Sequence, residues 1–488
     1  MKQQRFRFKL LALFLFGLFL LLAVYGGYSV LVYGNRWFAS SKNPRVRAQK
    51  ESVVAGSVLD RCGVVLASTD EEGNRVYQAD ESARRAIVHL LGDSQGQVAN
   101  GVETFQTSYL YGFQSTFPEL VALLLSGDAR RGDDVTLCVD SRLCTVMAES
   151  FDAHPLSAGK RGAAVALNYR TGEVLGMTSL PSFDPQNIAG TDPTGEPYWN
   201  RVTQSLYPPG STFKIVTAAA ALENLTGADA LTMNCIGSLS VLGQTIRDYG
   251  GASHGTLTLK QAFTVSCNNA FAITALTVGD DALRGKAEDF GFGDNFLFRD
   301  LVVENSAYPT QNRTAFELAA SGFGQSAIAA TPLHMCMVAA AVANGGVMME
   351  PRLLLGAVSA TGRSRSVGGE RVYRTAMQPE TAALLRDYMD AAVNAAGATG
   401  SRAWVSGLTV CGKTGTAESS LNGEAISYGW FVGFLDDESL PFAVAVLVED
   451  IGDGVGGGSV AAPIAGDIFT YLRDNRDRVT GSVAEMYR

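Results

Sequence analysis

A serine and a lysine three residues apart precede an alanine-rich run near the middle of the chain. Residues 207–214 read Y-P-P-G-S-T-F-K, and residues 215–223 are rich in helix formers. Proline and glycine stop the preceding chain, so we expect a helix that starts at or beside Ser211. At this spacing both side chains fall on one helix face, and the Lys214 amine can reach the Ser211 hydroxyl. The pair has the residue types of a serine nucleophile with a lysine base.

The S-x-x-K spacing alone is a weak signal. Ser157 and Lys160 have the same spacing without a predicted helix after them, and a serine at a helix start is usually an N-cap. Two further motifs follow in chain order: Ser266-Cys267-Asn268 and Lys413-Thr414-Gly415-Thr416. The second begins 147 residues after the first and follows an apolar run, residues 408–411, that predicts a strand. S-x-N also occurs at residues 41–43 and 420–422, so no single motif indicates catalysis. The order of the three motifs and the residues that flank them do.

This ordered set resembles the penicillin-recognising serine transferases and hydrolases. Longer stretches are similar to class B penicillin-binding proteins in particular, at residues 209–214, 322–325, 331–333, 343–346 and 412–418. The resemblance covers about residues 52–475, weakly before Gly162 and firmly after it. It implies a peptidoglycan D,D-transpeptidase that cross-links stem peptides through a serine acyl-enzyme and is inhibited covalently by β-lactams.

The resemblance also implies roles for individual residues. The implied catalytic residues are Ser211, Lys214, Ser266, Asn268 and Lys413, and the implied substrate-binding residues are Thr414, Gly415 and Thr416. The backbone N–H groups of Ser211 and Thr416 are the implied oxyanion donors. Lys214 can act as a base only when neutral, and burial beside Lys413 would lower its pKa in that direction. No metal or organic cofactor is implied, and the expected partners are stem peptides, β-lactams and a multi-spanning glycan polymerase.

The N-terminus carries the pattern of a membrane anchor. Four cations and no acid occupy residues 1–9, and the 26 residues from 10 to 35 are uncharged. As a helix with a rise of ~1.5 Å per residue, this run exceeds the roughly 30 Å hydrocarbon thickness of a bilayer. A cleaved signal peptide is the alternative, but its apolar region usually spans about 7–15 residues. The cations predict a cytoplasmic N-terminus and place everything from Trp37 onward outside the cell membrane.

Composition and breaks in the pattern suggest the remaining organisation. A polar stretch at residues 155–162 predicts a boundary between a pedestal domain, residues 36–157, and a transpeptidase domain, residues 158–482. Two hairpins, in residues 163–177 and 430–448, flank helical stretches, which predicts an α+β fold with a mainly antiparallel sheet covered by helices.

Charge and cysteine usage exclude other classes. There are 39 Lys and Arg residues against 48 Asp and Glu residues, a balance that disfavours nucleic acid as a partner. The seven cysteines lack a C-x-x-C pair or the ligand spacing of a zinc site, so we expect mostly free thiols and no metal. Cys138 and Cys144 are the one sequence-local pair, and their spacing does not decide whether they are bonded.

Three alternatives remain open from the sequence. A membrane-anchored β-lactamase or a β-lactam sensor uses the same three motifs, and an inactive wall-synthesis scaffold keeps the same architecture. The anchor and pedestal argue against a secreted hydrolase, and the intact Ser211 and Lys214 argue against the scaffold. Residues 418–422 match the E-x-x-L-N pattern of class A β-lactamases, but they follow K-T-G and do not precede it. We expect a short acidic turn there, leading to a strand at Trp430.

Overall fold

The computed structural model describes residues 2–38, 44–127, 129–192, 194, 196–310, 313–421 and 424–481. Its first helix, α1 (Lys2–Phe38), contains a stretch, Arg5–Ser29, with a mean hydropathy of 2.5. This stretch is long and apolar enough to cross a membrane and overlaps the predicted span at residues 10–35. The S-x-N match at residues 41–43 and the predicted domain end at residue 482 lie outside the described residues.

Helices and strands alternate irregularly along the rest of the described chain. The helices are α2 (Pro44–Ser52), α3 (Glu81–Leu91), α4 (Val102–Phe105), α5 (Thr107–Leu110), α6 (Phe117–Ser126), α7 (Ser141–Ala153), α8 (Lys214–Asn224), α9 (Leu259–Thr264), α10 (Asn268–Val278), α11 (Asp280–Asp289), α12 (Ala315–Ser321), α13 (Pro332–Ala343), α14 (Pro379–Asn394), α15 (Gly457–Asp474) and α16 (Arg476–Thr480). The strands are β1 (Val58–Leu59), β2 (Val65–Thr69), β3 (Arg75–Tyr77), β4 (Asp134–Leu137), β5 (Gly162–Asn168), β6 (Val174–Leu180), β7 (Thr232–Cys235), β8 (Ser238–Val241), β9 (Gln244–Arg247), β10 (Gly255–Thr258), β11 (Val347–Met349), β12 (Leu354–Val358), β13 (Ser364–Arg365), β14 (Val372–Thr375), β15 (Val410–Leu421), β16 (Glu424–Leu435) and β17 (Phe442–Glu449).

The central sheet has the strand order β15-β16-β17-β5-β6, and its neighbouring strands are all antiparallel. Both of its faces are buried, since α8 and α13 contribute to the core on one face and α7 and α15 to the core on the other. Every residue of β17 is buried, which explains why its sequence is a continuous apolar run and not an alternating one. The predicted α+β fold, with two hairpins and helices between them, is confirmed.

A second sheet lies in the N-terminal part and has the order β13-β12-β4-β1-β2-β3. Strands β12 and β13 come from far along the chain, and β12 pairs with β4 in antiparallel register. This sheet is therefore completed by residues that the sequence assigns to the transpeptidase domain. The domain boundary at residue 157 stays a prediction. The second sheet contains strands from both sides of that residue, because β12 and β13 follow it in the chain.

The predicted acidic turn at Glu418 is wrong. Strand β15 continues through this residue to Leu421, and Glu418 is paired with Ser427 of β16. The first residues of β16 form backbone hydrogen bonds with the second half of β15. This pairing extends β15 as a strand, and the local sequence around Glu418 does not predict it. Asn422, the last residue of the E-x-x-L-N match, lies outside the described residues.

All seven cysteines are free thiols, as expected. Cys62 is half-buried and the other six are buried. Cys138 and Cys144, the one sequence-local pair, are not bonded to each other.

Candidate active site

Ser211 lies in a tight turn that directly precedes α8. The turn is a 3-10 helix, Gly210–Phe213, and the α-helix begins at Lys214, three residues later than the earliest predicted start. The Thr212 hydroxyl donates to the Pro209 carbonyl at 2.7 Å, and the Gly210 N–H donates to the Gly324 carbonyl at 3.1 Å. These two hydrogen bonds hold the turn that carries Ser211 in place just before α8 begins.

Two glycines allow this turn to pack closely against its neighbours. Gly210 and Gly324 have positive φ angles of 53° and 78°, which side chains disfavour. A Cβ on Gly324 would lie 2.0 Å from the Gly210 carbonyl oxygen, and a Cβ on Gly210 would lie 2.6 Å from the Thr416 carbonyl oxygen. The loop at residues 322–325, which contains Gly324, therefore supports the turn that carries Ser211.

Substitution Gly324→Ala should displace this turn. A strained backbone of this kind costs on the order of 1–3 kcal/mol, so we expect a lower melting temperature and at least ~10-fold slower acylation by penicillin. Gly285→Ala in α11 is the matched control, because a Cβ there meets nothing within 4 Å. Calorimetry and a timed fluorescent-penicillin assay would measure both effects. Equal behaviour of the two variants would contradict the role of Gly324.

The Lys214 side chain is fully buried beneath the S-C-N motif. Its Nζ atom donates to the Ser266 carbonyl oxygen at 2.6 Å and to Asn268 Oδ1 at 2.9 Å, and it lies 3.2 Å from Ser266 Oγ. The Ser211 hydroxyl is not among the hydrogen-bond partners of Nζ within the described residues. The expected direct hydrogen bond between Ser211 and Lys214 is therefore not formed here, because the three oxygens of S-C-N hold the amine.

These contacts suit a neutral amine. Burial lowers the pKa of Lys214 to about 7, against the raising effects of Asp248 and Cys267. A neutral amine has two N–H bonds and one lone pair. The Ser266 carbonyl and the Asn268 amide oxygen can only accept, so they occupy both N–H bonds and leave the lone pair for a hydroxyl donor.

Lys413 completes a row of polar groups through Ser266. Its Nζ atom donates to Ser266 Oγ at 2.8 Å, so this hydroxyl lies between both lysines. Burial and the charge of Lys214 lower the pKa of Lys413 well below its usual value. Ser266 has a positive φ of 59°, a strained conformation for a serine, which is frequent at functional sites.

The K-T-G motif lies on the edge strand of the central sheet. Among the described residues, β15 is paired in the sheet on one side, so alternate backbone groups on its other side face the cleft. The Thr414 hydroxyl donates to the Thr399 hydroxyl at 2.7 Å, and the Thr416 hydroxyl accepts from the Gly457 N–H at 3.2 Å.

The predicted residues meet around one cavity of about 520 Å³. Six of the eight line it, namely Ser211, Ser266, Asn268, Thr414, Gly415 and Thr416. The other two, Lys214 and Lys413, are buried and reach Ser266. A neighbouring cavity of about 620 Å³ shares Ser211, Asn268 and Thr416.

Sequence reasoning missed other residues of this cleft. Thr399 and Arg402 line the first cavity, and the Tyr249 hydroxyl donates to the Gly454 carbonyl at 2.8 Å. Asp248 lies behind S-C-N, where its Oδ1 accepts from the Asn268 N–H at 2.7 Å. None of them lies in a short motif, so only the fold brings them to the cleft.

The antiparallel sheet, its edge strand and the cleft where the three motifs meet are those of a penicillin-recognising domain. The penicillin binding protein transpeptidase domain family matches residues 162–470. The chain belongs to this family.

Relatives extend the match beyond that domain. The chain is 31% identical over 453 residues to the peptidoglycan D,D-transpeptidase PbpA of Mycolicibacterium smegmatis, covering 87% of this chain and 90% of the relative. Penicillin-binding protein A from M. tuberculosis, solved as a ceftriaxone acyl-enzyme complex, has a TM-score of 0.78 at 28% identity and covers 89% of this chain and 99% of that structure. The D,D-transpeptidase domain of a peptidoglycan glycosyltransferase from Eggerthella lenta has a TM-score of 0.73 at 30% identity, covering 87% and 99%.

Proposed function

We propose that this protein is a peptidoglycan D,D-transpeptidase, which cross-links stem peptides through a serine acyl-enzyme and is inhibited covalently by β-lactams. The observation that carries the proposal is the cleft lined by Ser211, Ser266, Asn268 and Thr416, behind which the fully buried Lys214 amine contacts Ser266 and Asn268. The relatives named D,D-transpeptidases support the reaction, and the ceftriaxone and penicillin G acyl-enzyme complexes of a relative support the inhibition.

In the proposed acylation, the Ser211 oxygen attacks the carbonyl carbon of the penultimate D-alanine of a stem peptide. The Lys214 amine accepts the hydroxyl proton. The negative charge that develops on the carbonyl oxygen is stabilised by the backbone N–H groups of Ser211 and Thr416. The Thr416 N–H can take this role because β15 is an edge strand.

The proton then leaves by way of Ser266. The Ser266 hydroxyl contacts both lysines and can pass a proton from Lys214 to the amine of the departing D-alanine. Asn268 holds the substrate amide, Lys413 in its protonated form supplies positive potential, and Thr414 and Thr416 bind the terminal carboxylate. An amine of a neighbouring stem peptide then attacks the ester, forms the new peptide bond and releases Ser211.

The pH dependence of acylation tests the base. Because the Lys214 pKa is lowered to about 7, the neutral fraction of the amine rises as the pH increases through that value. We therefore expect the acylation rate constant to rise about tenfold per pH unit below ~7 and to level off above it. Timed penicillin labelling between about pH 5 and 8.5 measures this, with a return to pH 7.5 as the folding control. A rate that falls or stays constant over this range would exclude a neutral Lys214 base.

A β-lactamase is the main alternative, since Glu418 lines the larger cavity together with Ser211. Its side chain is exposed, however, and no hydrogen bond within the described residues orients its carboxylate towards a water molecule. We expect the penicilloyl adduct to persist for minutes or longer and Glu418→Gln to change its lifetime less than about twofold. Glu438→Gln is the control, because that carboxylate is 95% exposed on a distant loop. Rapid turnover of penicillin that stops in Glu418→Gln would identify a hydrolase.

We also propose that α1 anchors the protein in the cell membrane with its N-terminus in the cytoplasm. The four cations of residues 1–9 support this orientation. Protease added outside spheroplasts should degrade the catalytic domain. Protection of that domain from the protease would contradict this orientation.

A multi-spanning glycan polymerase is the proposed partner. Helix α6 exposes apolar side chains to which a partner can bind, with Phe117 79% and Leu125 82% exposed. Failure of the polymerase to co-purify with this protein in mild detergent would count against the partnership.

A further inference from the structure

The two cavities that meet at Ser211 have different linings. Ser211 and Thr416 line both of them. The cavity of about 520 Å³ contains Thr414, which the proposed reaction assigns to the terminal carboxylate of the stem. The cavity of about 620 Å³ is lined by two charged residues, Arg247 and Glu418, which have no role in the proposed acylation.

The proposed reaction determines which part of the stem peptide enters each cavity. The terminal D-alanine leaves, and it carries the carboxylate that Thr414 and Thr416 bind, so it lies in the cavity of about 520 Å³. The remainder of the stem stays on Ser211 as an ester and must extend in the other direction, into the cavity of about 620 Å³. We call this second space, lined by Ser211, Arg247 and Glu418, the acyl-side cavity.

The edge of β15 runs along the acyl-side cavity. Thr416 and Glu418 are two residues apart on this strand, so their side chains lie on the same face. Ala417, between them, is buried on the opposite face. An extended peptide can add to such an edge as a further strand, with its side chains beside those of the edge. The stem residue that precedes the reacting D-alanine is therefore within reach of Glu418.

Glu418 and Arg247 are charges without a protein partner. Both side chains are exposed. In the part of the chain that the structure describes, neither the Glu418 carboxylate nor the Arg247 guanidinium forms an ion pair or a hydrogen bond. Arg247 ends β9, where its backbone carbonyl accepts from the Asn268 side-chain amide at 3.4 Å. Unpaired charges are common on surfaces, but these two line the cavity that must hold the stem.

An apolar wall completes the acyl-side cavity. Phe316 and Phe323 line it and pack against a small apolar cluster that includes Ile246. A few charged groups beside an apolar wall suit a ligand with a methylene chain and a charged end.

The cross-linking reaction requires that each stem carries a side-chain amine, because the proposed acceptor is the amine of a neighbouring stem. In the acyl donor this amine does not react and needs a counter-ion, which Glu418 can supply. A side chain that ends in an ammonium alone would leave Arg247 without a partner. A side chain that ends in both an ammonium and a carboxylate matches both charges.

We propose that the acyl-side cavity is a specificity subsite for a donor stem whose diamino acid ends in both an ammonium and a carboxylate. Glu418 binds the ammonium, Arg247 binds the carboxylate, and Phe316 and Phe323 contact the methylene chain. The inference rests on the proposed function, since it takes the direction of the stem from the acylation step. Both charges act on binding, and neither takes part in making or breaking a bond.

Protection of Ser211 from fluorescent penicillin measures the subsite. Three synthetic pentapeptide stems that end in D-alanyl-D-alanine would be compared, with meso-diaminopimelic acid, L-lysine or L-2-aminopimelic acid as the third residue. The lysine stem lacks the distal carboxylate, and the aminopimelic stem lacks the distal amine. We expect the diaminopimelic stem to halve the labelling rate of the full-length protein at a concentration about fivefold lower than either other stem, the upper end for an exposed ion pair.

Two variants assign the two charges. Glu418→Gln should lose the preference over the aminopimelic stem and keep the preference over the lysine stem, and Arg247→Gln should do the reverse. Glu438→Gln and Arg142→Gln are the matched controls, because both side chains are exposed and line neither cavity. They should keep both preferences. The labelling rate of each variant without peptide serves as its own reference, so a general loss of activity cancels.

Equal protection by the three stems, no protection by the diaminopimelic stem, or both preferences persisting in either cavity variant would overturn the subsite. Protection requires binding but no turnover, so it is separate from the proposed function. The predicted preferences without any cross-linked product would contradict the transpeptidase and support the subsite. Cross-linking of all three stems without a preference would support the transpeptidase and overturn the subsite.

Discussion

Ser211→Ala is expected to abolish covalent labelling of the full-length protein by penicillin. Ser211 lines the cleft together with the S-C-N motif and the K-T-G residues of the edge strand β15. Without its oxygen no ester can form, so we expect a decrease of more than ~10³-fold in the yield of the adduct, as seen when a serine nucleophile is removed from other acyl-transfer enzymes. Intact-mass spectrometry measures the adduct directly.

Ser157→Ala is the control for this experiment. Ser157 belongs to the other S-x-x-K match, but its hydroxyl donates to the Phe151 carbonyl at 2.8 Å, outside the cleft. This variant should label normally. An adduct of undiminished yield on Ser211→Ala, or its loss in Ser157→Ala with the fold intact, would remove Ser211 from the proposed role.

Lys214→Arg is expected to slow acylation by at least ~10²-fold. The guanidinium group keeps the positive charge but stays protonated, so it cannot supply a lone pair to the Ser211 hydroxyl. It must also fit a fully buried site shaped by Ser266 and Asn268, where the amine has acceptors at 2.6 and 2.9 Å. The rate constant of labelling by fluorescent penicillin measures the effect.

Lys160→Arg provides the comparison, because Lys160 has the same motif spacing but is half-buried outside the cleft, where its amine donates to the Asp450 carbonyl. Its labelling rate should equal that of the unmodified protein. Near-normal labelling of Lys214→Arg would exclude Lys214 as the base and leave its role as the positioning of Ser266 and Asn268.

Much of the central sheet and the site could be predicted, because the responsible signals are local. The continuous apolar run of β17 indicates a strand buried on both faces, and its pairing with β16 confirms the predicted hairpin. The three motifs are short and ordered, so their residue types predict the chemistry before their positions are known. The structure brings them together around one cavity.

What could not be predicted depends on contacts between distant segments. β12 joins the pedestal sheet through β4, a partner more than 200 residues earlier in the chain. The Cys235 and Cys267 thiols meet at Asp248 only because β7, β9 and α10 converge. No rule based on spacing along the sequence predicts these two sets of contacts. The hydrogen bonds of Lys214 to S-C-N likewise depend on the strained backbone of Ser266, which sequence does not reveal.

Transfer of an acyl group from one stem peptide to another is the central claim, and it can be measured directly. The full-length protein should be mixed with un-cross-linked glycan strands that carry D-alanyl-D-alanine stems, and the products digested and analysed by mass spectrometry. We expect cross-linked stem dimers and one released D-alanine per cross-link, with neither product formed by Ser211→Ala. Stems shortened by one D-alanine without any dimers, together with rapid hydrolysis of penicillin, would show that the protein transfers its acyl group to water and is not a transpeptidase.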